Sequence, residues 1–219
     1  MKKRLSYIPA FHFRWLTRWY DPMMQQFFPE EAIKNALIHQ ANIQPDQVIL
    51  DVGCGTGTLT LLIKQAQPDA SVYGIDIDPL ILDIARKKVE QAKQTIALQI
   101  GTATCLPYPD KSFDRVFASL ILHHLTKQDK QRVLGEAFRV LKPGGELHVA
   151  DICKPNDSIM WLISLIVRWV EEAHDNILGL LPLFVTNVGF HPVEETARYR
   201  TVFGPIALYR ACKPKRDGL

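Results

Sequence analysis

Apolar and polar positions change period repeatedly along this chain from residue 47 onward. Val48-Ile49-Leu50 and Val52 make a nearly unbroken apolar run, the mark of a strand buried on both faces. Thr58 to Ala66 (TLTLLIKQA) switches to helical spacing. A second strand follows over 71–76, and then a helix over 79–92 opened by Asp78-Pro79. Aspartate caps a helix start, and proline suits its first position. The pattern continues with strands over 95–100, 113–119 and 145–151 and a helix over 127–141; Gly144-Gly145 after Lys142-Pro143 predicts a tight turn into the fifth strand. Strand and helix in alternation imply a parallel sheet with helices on both faces. Upstream, residues 10–41 look helical. Pro22 breaks that run, and Pro29-Glu30-Glu31 starts a helix through Ile38. Downstream, 156–174 is amphipathic. Ser164, Arg168, Glu171 and Asp175 share one side, while Ile159, Trp161, Leu162, Leu165, Ile166 and Trp169 help crowd the rest, wider than one core-facing stripe requires. Leu180 to Val188 reads as a short helix or loop. His191 to Phe203 alternates like a strand, with Ile206 to Cys212 as hairpin partner across Gly204-Pro205. These limits give an N-terminal helical cap over 1–44 and an α/β domain over 45–219, with 156–188 as a helical insertion.

The chemistry concentrates where the first strand ends, in Asp51-Val52-Gly53-Cys54-Gly55-Thr56-Gly57. Glycines let the backbone turn sharply and present no Cβ to a ligand. The next helix would aim its free N–H groups at the bend. Strand, bend and helix together make a nucleotide-cofactor site; a glycine-rich turn without a ligand is the alternative for the loop taken alone. A dinucleotide fingerprint needs G-x-G-x-x-G. Counted from Gly53, the sixth position is Thr58, and the third glycine comes one residue early at Gly57. Asp76 closes the second strand near the ~20-residue offset at which an acid reaches a ribose. With Asp78 as the helix cap, Asp76 is left for a ligand.

A length of 219 residues suffices for one well-buried domain. A hydrophobic share of 47% against 22% charged is that of an ordinary globular protein. A net charge of +3 is too small to imply nucleic acid; Lys2-Lys3-Arg4 and Lys213, Lys215 and Arg216 read as solvated tails. Cys54, Cys105, Cys153 and Cys212 stand far apart with no C-x-x-C spacing, which argues against zinc or any other metal site and for reduced thiols in the cytoplasm. Pro9, His12 and Arg14 interrupt the basic start, so it does not read as a secretory signal. The apolar run Ile159 to Val167 is too short to cross a bilayer.

The D-x-G-x-G-x-G loop resembles the cofactor loop of class I S-adenosylmethionine-dependent methyltransferases. Three more segments carry the likeness: Leu106-Pro107-Tyr108-Pro109-Asp110-Lys111-Ser112-Phe113-Asp114, Leu122-His123-His124-Leu125 and Arg139-Val140-Leu141-Lys142-Pro143-Gly144-Gly145. Within that superfamily the chain is most similar to the branch of ubiquinone/menaquinone C-methyltransferases (methyltransferase type 11) and their small-molecule and lipid relatives. The likeness is strong over 45–152, and Tyr20-Asp21 resembles the branch as well. It implies a Rossmann-like α/β fold: a seven-stranded sheet, mostly parallel with a final antiparallel hairpin, and helices on both faces. It implies methyl transfer from S-adenosylmethionine, leaving S-adenosylhomocysteine, to a small molecule. The apolar wall over 156–185, with Trp161, Leu162, Leu165, Ile166, Trp169, Leu180, Leu181 and Phe184, suits a lipophilic acceptor; packing on the N-terminal helices or across a dimer interface is the alternative.

Residue by residue, the resemblance assigns Asp51, Gly53 and Gly55 to the amino-acid end of the cofactor, Asp76 to its ribose and Ile77 to its adenine. Thr102-Ala103 stands where the family normally has an acid near the adenine amine; a hydroxyl can hydrogen-bond there without a charge. Ser119 and Leu120 would line the methionine side, and Tyr20, with Trp15 and Trp19, would close over the cofactor or pack as an amphipathic helix. His123 and His124 are candidates for a general base or a substrate-orienting group; a helix-start pair with one ring buried is the other reading. Segment 156–188 lies where relatives build the acceptor site. No nucleic-acid partner and no transmembrane segment are expected. Peripheral membrane contact stays open, as do monomer and homodimer. Two other classes compete. A non-catalytic cofactor-binding or partner-binding relative need not keep the glycine loop and Asp76. A nicotinamide oxidoreductase is disfavoured by the glycine spacing and the final hairpin.

Overall fold

The computed structural model describes residues 29–170 and 172–215, with the backbone alone over 165–170. In chain order its elements are α1 (Glu30–Ala41), β1 (Val48–Val52), α2 (Thr58–Ala66), β2 (Ser71–Asp76), α3 (Pro79–Gln91), β3 (Ala97–Ile100), β4 (Phe113–Ser119), a single 3₁₀ turn (Leu122–His124), α4 (Lys127–Val140) and β5 (Leu141–Ile152). Then come α5 (Ser158–Val170), α6 (His174–Ile177), α7 (Leu181–Val188), β6 (Val193–Thr201) and β7 (Gly204–Cys212). All seven strands join one sheet in the order β3-β2-β1-β4-β5-β7-β6. The first five run parallel; β7 is antiparallel to both β5 and β6.

The apolar run of β1 is explained by its central place between β2 and β4. Ile49, Phe117, Ala150 and Leu208 face one layer, where Ile33, Leu37 and Ala41 of α1 and Leu59 and Ile63 of α2 cover them. Val116, Ala118, Leu147 and Val149 face the other, under Val133, Leu134 and Ala137 of α4 and Phe184 and Val185 of α7. Helix α1 runs on past Ile38 to Ala41, because Leu37 and Ala41 still meet the core and Asn42 then takes a left-handed cap. The part of the expected N-terminal helices before residue 29 lies outside the described residues.

Three local expectations need correction. Lys142 to Gly145 does not form a turn that precedes β5. The strand starts at Leu141, opposite Phe113, and its pairing with β4 then shifts to Arg115–Glu146. The surplus residues bulge out and bond the chain tail, with Gly144 N donating to Lys213 O (2.8 Å) and Lys213 N to Gly145 O (2.9 Å). The last hairpin turns at Val202-Phe203, because Thr201 pairs with Gly204 and Gly204-Pro205 already belong to β7. Lys213 is buried rather than a solvated tail residue. Its ammonium donates to the carbonyls of Phe138 (2.7 Å) and Leu141 (2.8 Å), where a cation meets the negative end of α4. Among the described residues no helix is long and apolar enough to cross a membrane.

Candidate active site

The strand order reverses between β1 and β4. Sheets of this kind bind ligands at the carboxyl ends of the strands beside such a switch. Gly53, Gly55 and Gly57 all have positive φ there (67°, 54° and 74°). Their surroundings differ. A Cβ on Gly53 would collide with Ile121, and one on Gly57 would lie 2.9 Å from the Cβ of Ala85 on α3. A Cβ on Gly55 would meet no protein atom within 4 Å. Gly53 and Gly57 are therefore small for packing, whereas Gly55 borders open space. That space is a cavity of about 220 Å³, with Glu30, Lys34, Asp51, Gly55, Ser119 and Leu120 among its walls.

Asp51 sits in the floor, fully buried at the end of β1. Its Oδ2 accepts from Thr60 Oγ1 at 2.6 Å. Burial pushes its pKa up to about 7, against the pull of the Thr60 hydroxyl and the charge of Lys34. A cation placed beside it would restore the ionised form. Asp76 holds the bend itself, since Oδ2 accepts from Gly55 N (2.9 Å) and Oδ1 from Asp78 N (3.0 Å). Each oxygen keeps a second lone pair. Asp78 caps α3 through Leu80 N (2.8 Å) and Ile81 N (3.4 Å), the cap that the sequence implies.

The cavity thus brings together Asp51, Gly53, Gly55, Ser119 and Leu120, and Asp76 adjoins it through Gly55. Ile77, Thr102 and Ala103 do not line it; they stand at the ends of β2 and β3, joined by Gly101 N donating to Asp76 O (2.9 Å). Ile77 is largely exposed, and Thr102 Oγ1 bonds Thr104 Oγ1 at 2.8 Å. Tyr20, Trp15 and Trp19 lie outside the described residues.

Past Ser119-Leu120 the chain makes the 3₁₀ turn that carries both histidines. His123 is buried with Nδ1 2.9 Å from Asp151 Oδ1, and its ring centroid is 3.9 Å from that of His124. Asp151 also accepts from Leu122 N (2.8 Å), Ile152 N (2.8 Å) and Asn176 Nδ2 (3.2 Å). With the Nδ1 proton given to Asp151, Nε2 is the basic atom of His123. Sequence reasoning missed both Asp151 and Asn176. Asp151 falls at the end of an apolar strand like Asp76 and could have been flagged; Asn176 on the short α6 has no local signal. Lys130 pins that segment from α4. It is fully buried, donates to Glu172 O at 2.7 Å and lies 3.7 Å from Asp175 Oδ2; burial lowers its pKa.

Near Asn176 lies a second cavity, about 240 Å³, bordered by Lys154, Pro155, Trp161, Ser164, His174, Ile177 and Leu178. Two polar atoms in this region, Ser164 Oγ and Asn176 Oδ1, are buried without a hydrogen-bond partner. On its border Trp161 and Leu178 are more than half exposed, as are Ile159 and Leu162 elsewhere on α5. Of the acceptor wall expected from the sequence, the side chains of Leu165, Ile166 and Trp169 lie outside the described residues, and Leu181 and Phe184 do not line this cavity but pack into the core beneath the sheet. No three His, Cys, Asp or Glu side chains among the described residues form a group that could hold a metal ion.

The remaining motifs hold loops in place. Arg139 donates to the carbonyls of Tyr108 (2.8 Å) and Leu106 (3.0 Å) and to Asp110 Oδ1 (2.8 Å), while Glu136 accepts from Leu106 N (2.6 Å). Asp114 accepts from Val48 N and Lys142 Nζ, both at 2.8 Å. These residues line neither cavity.

Fold and site together define a Rossmann-like domain with a nucleotide-cofactor bend at its switch point. Comparison with known proteins narrows this. The methyltransferase-domain family matches residues 49–145. A demethylmenaquinone methyltransferase of Symbiobacterium thermophilum is 40% identical over 175 residues, which cover 78% of this chain and 66% of that protein, just under two thirds of its length. A demethylmenaquinone methyltransferase of Tropheryma whipplei is 30% identical over 208 residues, covering 87% of this chain and 84% of its own. Among solved structures, the YcgJ protein of Bacillus subtilis superposes with a TM-score of 0.71 at 16% identity, over 85% of this chain and 100% of that one; the likeness bears on the fold alone. The chain belongs to the S-adenosylmethionine-dependent methyltransferase family.

Proposed function

We propose that this protein transfers a methyl group from S-adenosylmethionine to a small, lipophilic acceptor of the quinol type. The observation that carries the proposal is the cavity at Gly55, open toward the backbone and floored by a buried carboxyl group. When bound, the cofactor supplies an electrophilic methyl group on a sulfonium centre, so the protein need mainly align and deprotonate. In this reading Asp51 takes the ammonium of the amino-acid end, Asp76 the ribose hydroxyls, Ile77 the adenine face and Thr102 with Ala103 the adenine edge. Ser119 and Leu120 flank the methionine chain.

The acceptor is assigned to the second cavity. Its exposed apolar rim suits a prenyl or acyl tail, and the two unpartnered polar atoms nearby suit the oxygens of a ring; small-molecule pockets are mostly apolar with few polar anchors. His123 borders neither cavity itself but is tied to the second through Asp151, which also bonds Asn176, the neighbour of the lining residue Ile177; in this reading it is the base that takes a hydroxyl proton from the acceptor onto Nε2, with Asp151 fixing the tautomer. The relatives' names, demethylmenaquinone methyltransferase, favour a quinol over other lipophilic rings. Four free thiols, two of them buried, suit a reducing cytoplasmic setting. The test is transfer of labelled methyl from S-adenosylmethionine to a reduced, short-chain demethylated quinone, followed into the organic phase. Label there, dependent on reduction of the quinone, supports the proposal. Turnover of polar amines or catechols in its place would refute the acceptor.

A further inference from the structure

Helix α1 puts a cation at the cofactor cavity where packing alone does not ask for one. Ile33, Leu37 and Ala41 face the sheet and are fully buried. Lys34 lies beside them, only 9% exposed, yet it lines the cavity together with Asp51, Gly55 and Ser119. Its ammonium pairs with the Glu30 carboxylate one turn earlier, and that side chain is itself 43% exposed. An ammonium has three donors, and a buried one is costly unless they are used. Glu30 satisfies part of this and is free to turn to water when another anion arrives. A leucine at position 34 would extend the apolar face of α1 without this cost. The cavity therefore offers a buried carboxyl group at Asp51 and a buried ammonium at Lys34. An α-amino acid group, which carries an ammonium and a carboxylate on one carbon, is complementary to that arrangement.

We propose that Lys34 binds the α-carboxylate of the cofactor's amino-acid end, with Asp51 on its ammonium. The assignment rests on the cofactor reading above and gives it a second charged contact, from a helix outside the glycine-loop region. Lys34 then sets a preference for ligands that retain the amino-acid end over those that keep only the adenosine.

The test compares two probes by calorimetry. S-adenosylhomocysteine has the complete amino-acid end, whereas 5′-methylthioadenosine keeps the adenosine and thioether and lacks it. In Lys34→Met, affinity for S-adenosylhomocysteine should fall at least ~tenfold, as for a lost charge-assisted hydrogen bond. Affinity for 5′-methylthioadenosine should stay within about twofold, since that ligand has nothing for Lys34 to hold. Lys34→Arg should recover most of the loss. If Lys34→Met does not fold, Lys34→Gln replaces it with the same expectation. Undiminished S-adenosylhomocysteine binding in the folded variant overturns the assignment alone, as does equal weakening of both probes. A wild-type protein that binds neither probe refutes the cofactor reading and the assignment with it.

Discussion

Replacing Asp51 with asparagine should make the protein more stable at alkaline pH while weakening its hold on the cofactor. Burial raises the Asp51 carboxyl from its ordinary 3.8 to about 7. At ~1.4 kcal/mol per pH unit, the ionised form carries roughly 4 kcal/mol of penalty once the group is fully charged. Local relaxation trims this to about 2–4 kcal/mol. The asparagine side chain would keep the shape, and its oxygen can still accept from Thr60 Oγ1, so little else is disturbed. Because the folded-state value is raised, the native protein holds a proton between about pH 4 and pH 7 that the unfolded chain has lost. The penalty is therefore absent near pH 4, grows as pH rises and is complete above about pH 7. Thermal melts of Asp51→Asn and wild type at pH 8, 6 and 5 read it directly. A domain of this size moves by ~2–4 °C per kcal/mol, so the variant should melt at least ~4 °C higher at pH 8, with the gap shrinking steadily toward pH 5. Its affinity for S-adenosylhomocysteine should drop about tenfold or more, because the ammonium loses its charged partner. A variant less stable than wild type at pH 8, or a gap independent of pH, would refute the reasoning.

Gly55→Val should lose S-adenosylhomocysteine binding, because its side chain enters the ligand's space with no protein atom within 4 Å of the Cβ, while a branched residue at a φ of 54° costs ~1–2 kcal/mol of stability; calorimetry showing wild-type affinity in the folded variant removes Gly55 from the site. His123→Asn should cut methyl transfer to a quinol at least ~100-fold while leaving S-adenosylhomocysteine affinity within about twofold, as removal of a general base predicts; unchanged kcat makes the His123–Asp151 contact purely structural. Trp161→Ser should barely alter the melting temperature, since the ring is 56% exposed, yet raise KM for an apolar acceptor. A melt several degrees lower with turnover per folded molecule unchanged argues against the acceptor wall.

The parallel half of the sheet was legible because β1 and β2 are short runs closed by Gly53 and Asp76, and the caps are local chemistry. Asp78 needs only its own neighbours to cap α3, and Gly53 to Gly57 declare their bend by composition. Elements whose state depends on distant partners were read less well. Lys142 to Gly145 is strand backbone because the tail at Lys213 bonds it, and Lys213 is buried because α4 ends beside it. The same holds in the site. Asp51 and Asp76 follow from strand ends, whereas Lys34 reaches the cavity only once α1 has packed on the sheet, and Asn176 meets Asp151 only through the tertiary placement of α6 beside β5. Helical spacing shows that 156–174 has a wide apolar face. It does not show that Ser164 Oγ and Asn176 Oδ1 are left without partners beside it.

The central claim is that the cavity floored by Asp51 is a site for S-adenosylmethionine. Calorimetric titration of the unaltered protein with S-adenosylhomocysteine, with NADH as a parallel ligand, tests it most directly. Saturable one-to-one binding of S-adenosylhomocysteine and none of NADH is the expected result. Saturable NADH binding, or no heat with either S-adenosylhomocysteine or S-adenosylmethionine, would contradict it.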